Sequence, residues 1–318
     1  MGQTTGISWT HHTANFWIGC QKVSPGCEHC YAEHDTPTRT RRAKGLELWG
    51  PPKTTPRDRT KGAWKDVLKW NRDAERDGVR RRLFVSSLAD IFEDHPMVAS
   101  WRAEALALLE SCTSLDVQLL TKRPQNIRAM VPPAWLAPSG WPAHVWVGTT
   151  VEDQKRADER IPHLLAVPAR VRFLSCEPLL EAVDLLDDLM GYVDDDVSGG
   201  RRVRLPHVTP YIHQEVKISW VIVGGESGPG ARPFALEWAR SIVAQCREAG
   251  VACFVKQMGD NAIDAADECP AGGGCGLDEC GMGCRYAKAT TRRIVFRAHH
   301  GADPNEWPAD LRVQEFPR

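Results

Sequence analysis

The sequence predicts an α/β fold, a full or partial parallel (β/α) barrel. Short continuous apolar runs rich in Val, Ile, Phe and Leu recur along the chain, helical patterns separate them, and each run ends in a small polar cluster. Strands buried on both faces read as unbroken apolar stretches, and their alternation with helices implies a parallel sheet covered by helices. A chain of 318 residues, 42% hydrophobic and 25% charged, suffices for one large domain with insertions.

In chain order the expected strands are RLFVSSLADIFED from Arg82, DVQLLTKRP from Asp116, HVWVGTTVED from His144, RVRFLSCEPLL from Arg170, ISWVIVGGESG from Ile218 and VACFVKQMG from Val251. Apolar residues three and four apart mark helices over Met97 to Cys112 and Ala235 to Gly250. A further helix, TKGAWKDVLKWNRDAERDG, would turn Trp64, Val67 and Leu68 inward. The polar clusters fall where strands end, and in a barrel such loops converge on the carboxyl-end mouth. Taken singly they fit helix caps and turns equally well. The expected organisation is a barrel over 1–262, with a basic loop at 37–82 and an insertion near 190–217. A cysteine-rich, metal-binding insertion and tail follow over 263–318.

Charge is unevenly spread despite a formal net of −1: Pro37 to Arg82 holds 15 Lys or Arg against six Asp or Glu, whereas Glu181 to Asp196 holds seven carboxylates and no basic residue. Trp49, Trp64 and Trp70 lie within the basic segment, so cations for phosphates and rings for base stacking make a nucleic acid or nucleotide an expected partner. The amino terminus, MGQTTGISWTHHTANFW, has no basic stretch followed by an apolar run, and no long uncharged apolar segment occurs. A cytoplasmic protein without a membrane partner is expected.

Eleven cysteines in a reducing compartment point to metal or redox chemistry over disulfides. Cys20, Cys27 and Cys30, in GCQKVSPGCEHCYAE, can wrap three thiolates around one centre. Zinc would need a fourth donor such as His29 or His34, and an iron-sulfur cluster is the other option. Cys269, Cys275, Cys280 and Cys284 form a second metal-site candidate, for zinc or a second iron-sulfur cluster. Cys112, Cys246 and Cys253 fall in helix or strand patterns and are expected to pack. Lys122 and Arg123 end a strand, where they could hold a carboxylate or phosphate. No Walker loop, dinucleotide fingerprint or serine-hydrolase elbow is present.

The ordered set GCxxxSPGCxxCYA, SLADIF, LLTKRP, VGTTVED, SCEPLL, GGESGPGARP and FVKQMG resembles a phage-borne family of uncharacterised radical-SAM-like proteins, over about residues 7 to 260. CYA, LTK and EP are distantly similar to spore photoproduct lyase. The resemblance implies a barrel of the radical SAM type. It also implies a 4Fe-4S cluster on Cys20, Cys27 and Cys30 whose open iron binds S-adenosyl-L-methionine and yields a 5′-deoxyadenosyl radical. It places Tyr31 near the cofactor adenine and Ser87, Asp90 and Glu93 near the methionyl amino group. Gly224, Gly225 and Glu226 resemble a cofactor motif, though a ligand-free turn is equally compatible. Lys122 and Cys176 are the catalytic candidates; Cys176 could return a hydrogen atom to a product radical, or simply pack.

The implied function is modification or repair of a nucleic acid or nucleotide, in the host cytoplasm if phage-encoded. An electron donor is required, and a partner protein could present the substrate. Two alternatives stand: the same chemistry on a peptide or small metabolite, or a zinc-stabilised nucleic-acid-binding protein without catalysis.

Overall fold

The structure, a computed structural model, describes residues 5–195, 201–204, 217–265 and 291–317. Seven strands form the main sheet: β1 (His12–Ala14), β2 (Arg81–Val85), β3 (Leu115–Thr121), β4 (Val145–Thr150), β5 (Arg172–Cys176), β6 (Trp220–Gly224) and β7 (Ala252–Gln257). They lie side by side in chain order and every neighbouring pair is parallel. The result is a curled half-barrel. Among the described residues β1 and β7 do not pair; the outer side of β7 instead meets the chain's tail through a bridge from Phe254 to Gln314.

Four long helices cover the sheet: α1 (Ala63–Asp77), α2 (Ala99–Ser111), α3 (Gln154–Leu165) and α4 (Leu236–Ala249). In α1 the buried face is Ala63, Val67, Trp70 and Ala74, while Leu68 is 40% exposed. The expected inward set was thus rotated: the true stripe steps by three and four from Ala63, which leaves Leu68 outside it. α1 and α4 both stop at a glycine in the left-handed region, Gly78 (φ 64°) and Gly250 (φ 65°).

Side chains alternate between the faces of each strand. Those facing the helices, such as Val85, Val117, Leu119, Val147, Leu174 and Val223, belong to the large core. Those facing the concave side form an aromatic floor of Trp9, Phe84, Trp146, Phe173, Trp220 and Phe254. Trp220 is its hub, with ring centres 5.7 Å from Phe173, 6.1 Å from Trp9 and 5.5 Å from Phe316. Gly148 makes room for this packing, since a Cβ there would stand 2.5 Å from the Phe173 ring. The half-barrel is therefore filled toward its amino-terminal end by this floor, and the cavity described below lies at the strands' carboxyl ends.

Arg201–Arg204 pairs antiparallel with Tyr192–Asp195 inside the expected insertion. The described tail is no appendage: Trp307 and Leu311 are buried, and Val255 and Glu315 bond in turn to Val313 and Cys253. Among the described residues no helix is long and apolar enough to cross a membrane.

Candidate functional site

The carboxyl ends of the strands enclose a cavity of about 180 Å³, lined by Cys20, Cys27, Cys30 and Tyr31 on one wall and by Ser86, Lys122, Thr150, Ser175, Glu177 and Lys256 on others. The cysteine loop begins just after the short strand Trp17–Ile18. Gly19 turns it with φ at 116°, where a Cβ would meet the Leu48 carbonyl at 2.6 Å. All seven described cysteines are free thiols.

Two clamps hold this loop. On the Cys20 side, Arg57 grips Glu93 with two bonds of 2.8 and 2.9 Å, and Glu93 accepts from the Gln21 backbone N–H at 2.9 Å. Arg123 donates to Asp90 at 2.8 Å, to the Gln21 carbonyl at 2.7 Å and to Cys20 Sγ at 3.7 Å. All four charged side chains are at least nine-tenths buried. Burial works against the Asp90 charge, but Arg123 and the donors Thr121, Lys122 N–H and Phe92 N–H hold its carboxyl below the usual range. On the far side, Glu226 accepts from His29 Nδ1 at 3.1 Å and from Arg232, whose guanidinium also reaches the Pro25 carbonyl at 2.9 Å. Between the clamps Gly26 rests on Glu152, its N–H donating at 3.3 Å, and Glu152 is paired with Arg160 at 2.7 Å.

Burial pushes the Cys20 thiol up to about 12 against the pull of Arg123, and raises Cys30 against the pull of Lys122. Metal binding would therefore release protons here. The family that matches residues 4–306 is described as a protein of unknown function, DUF5131. The chain belongs to that family. Comparison with curated proteins and with solved structures gave no match.

Several residues expected at the site of this DUF5131 protein lie elsewhere or act differently. Cys176 is wholly buried in the helix-facing core, because period-two alternation along β5 turns Ser175, not Cys176, into the cavity. Of its two readings, hydrogen donor or packing, this placement agrees with packing. Asp90 and Glu93 do not offer free carboxylates to a cofactor: Asp90 accepts four bonds and Glu93 is consumed by Arg57 and Gln21. Glu226 is likewise occupied by Arg232 and His29. Gly225 is required by packing, since a Cβ would lie 2.4 Å from the Met258 carbonyl, while Gly224 has only ordinary contacts. Ser87 lines the cavity but its hydroxyl accepts from Asn15 at 3.0 Å, and its carbonyl accepts from Tyr31 at 3.2 Å.

Lys122 is where it was expected, at the mouth. Sequence reasoning missed Ser86, Thr150, Ser175, Glu177 and Lys256. Doubled polar residues after apolar runs, SS and TT, were the available signal for the first two. Lys256 sits at a register shift between β6 and β7, an irregularity that re-aims it toward Glu177.

Among the described residues, no group of three or more His, Cys, Asp or Glu side chains is placed to hold a metal ion. Cys269, Cys275, Cys280 and Cys284 lie outside the described residues. Part of the basic segment is paired internally: Arg57 is buried on Glu93, Arg41 pairs with Asp58, Arg59 with Glu104, Lys69 with Asp73 and Arg80 with Asp116. Trp70 is buried against the His12 ring at 4.5 Å, and Trp64 packs on Phe16 at 4.7 Å. Neither is a free stacking platform.

Proposed function

We propose that this protein is a radical S-adenosylmethionine enzyme, with Cys20, Cys27 and Cys30 holding a 4Fe-4S cluster. The observation that supports this reading is the lining of one cavity by three free thiols, at the carboxyl ends of a parallel half-barrel. The donor set fits an iron-sulfur centre, for which thiolates are the usual ligands. Zinc would need a fourth donor to close a tetrahedron, whereas three thiolates can hold an iron-sulfur cluster with one iron left open.

When bound with S-adenosylmethionine, such a cluster supplies a 5′-deoxyadenosyl radical that abstracts hydrogen from an unreactive carbon. The chain's own residues would do three things. Arg57, Glu93 and Arg123 fix the Cys20 end of the loop, and Glu226 and Arg232 fix the other. Tyr31 walls the cavity beside the thiols. The aromatic floor would fill the barrel below the reacting groups and limit water there. A substrate small enough to enter this cavity, a metabolite or single nucleotide, is favoured over an extended nucleic acid, because the cavity is about 180 Å³ and Trp64 and Trp70 are packed on Phe16 and His12.

Anaerobic reconstitution with iron and sulfide, followed by ultraviolet-visible and electron paramagnetic resonance spectra, tests the proposal. A reduced cubane signal that shifts on adding S-adenosylmethionine and disappears in Cys27→Ala is the expected result. A colourless protein retaining only zinc would overturn it.

A further inference from the structure

Three carboxylates line the cavity, and each is matched by a cation of the chain: Asp90 by Arg123, Glu177 by Lys256 and Glu226 by Arg232. Lys122 lines the same cavity without such a match. Its Nζ donates to the Thr150 hydroxyl at 3.3 Å, and among the described residues it forms no ion pair. It acts at longer range on Glu152, which is already bonded to Arg160, and on Cys30, whose thiol burial keeps protonated. A half-buried ammonium with unused donors is costly unless a counter-charge arrives, and the cavity is where one can arrive.

The surroundings of Lys122 are built to receive it. Thr150 and Ser175 stand opposite each other in the register of β4 and β5; both are buried and both line the cavity. Thr150 accepts from Lys122, so its own hydroxyl proton remains available to donate. The Ser86 hydroxyl, in the same cavity, is buried with no hydrogen-bond partner. An orphaned buried hydroxyl is costly, and a ligand that bonds to it would recover that cost. Beneath these polar groups lie Trp9, Phe84 and Leu120.

We propose that the cavity binds a small organic anion, its carboxylate or phosphate on Lys122 with the Thr150 and Ser175 hydroxyls and its apolar or aromatic body over Trp9, Phe84 and Leu120. The anion belongs either to the substrate or to the carboxylate of S-adenosylmethionine. Binding itself requires no cluster, so the inference stands or falls apart from the proposed function.

Trp9 and Trp49 line the cavity, so the fluorescence of the full chain reports occupancy. Phenyl phosphate, benzoate and the neutral benzyl alcohol are the probes, at constant ionic strength. The anions are expected to bind at least about tenfold more tightly than the alcohol, Lys122→Met to lose about tenfold or more, and Lys122→Arg to keep most of the affinity. Thr150→Val, which leaves the charge in place, is expected to lose a few-fold and decides the matter if Lys122→Met melts early. No binding of any probe, equal affinity for anion and alcohol, or unchanged affinity in both Lys122→Met and Thr150→Val would overturn the proposal.

The same titration after reconstitution covers the negative charge that a thiolate-bound cluster brings. Retained anion binding supports the site; its loss on cluster loading, with S-adenosylmethionine absent, would assign Lys122 to balancing the cluster and overturn the proposal. In the reconstituted protein, displacement of phenyl phosphate by S-adenosylmethionine assigns the anion to the cofactor, and simultaneous binding assigns it to the substrate.

Discussion

The two clamps on the cysteine loop use the same chemistry, an arginine fork on a glutamate or aspartate, but in different surroundings. The Cys20 clamp is sealed: Arg57, Asp90, Glu93 and Arg123 have side chains no more than 8% exposed. The Cys27–Cys30 clamp is only half open: the Glu226 side chain is buried, 6% exposed, but its partners Arg232 and His29 are 22% and 34% exposed. A buried ion pair is weak evidence of net stability yet costly to break by halves, whereas an exposed one contributes little either way. The difference teaches that one end of the loop is fixed by the fold itself. The other end also rests on buried carboxylates, Glu152 and Glu226, but Arg232 and His29, which grip Glu226, face solvent.

The largest effect should come from cutting the sealed clamp on one side. Arg123→Met leaves the Asp90 carboxylate buried without its cation, and is expected to cost roughly 3–5 kcal/mol in chemical denaturation. Replacing both partners, Asp90→Leu with Arg123→Met, should cost clearly less than the sum of the singles, and additive losses would show that the pair is not coupled.

The same comparison sharpens with pH. The folded Asp90 carboxyl lies below its ordinary value of about 3.9, so its ionised form contributes stability that is fully present above that value. That contribution is lost as pH falls through the lower folded value. The stability gap between the parent and Asp90→Asn should thus be constant near neutrality and shrink below about pH 4. A gap that widened on acidification would mean that Asp90 is protonated in the folded chain.

Much of the barrel was legible because it rests on periodicity. Each of the six apolar runs contains a strand, and the helices at Ala99–Ser111 and Leu236–Ala249 fall inside their expected spans. β1 escaped notice because three residues, HTA, carry no pattern of their own and become a strand only by pairing with Leu83 to Val85. The cysteine triplet was legible as a loop with three exposable donors. What its neighbours do was not, because Asp90 and Glu93 look alike whether they face a ligand or a guanidinium 33 and 36 residues away in sequence. Cys176 shows the finer limit: a shift of one residue on a strand exchanges cavity for core, and nothing in RFLSCEP fixes that phase before the sheet is assembled.

The smallest expected effect concerns the half-open clamp. Arg232→Ala removes the fork from Glu226 and the bond to the Pro25 carbonyl, while the buried Glu226 carboxylate keeps His29 at 3.1 Å and the backbone N–H of residue 232 at 2.9 Å. Global stability should fall by about 1–3 kcal/mol, less than for Arg123→Met because the exposed side of the clamp lets water in. A local loss should accompany it, appearing as faster amide hydrogen exchange at Gly26 to Glu28 while exchange at Gln21, under the sealed clamp, stays slow. Equal acceleration at both ends would mean that the loop opens as one unit. Acceleration confined to the Cys27 side would show that the sealed clamp holds Cys20 unaided, so that Cys27 and Cys30 can move to meet a bound centre while Cys20 sets its position.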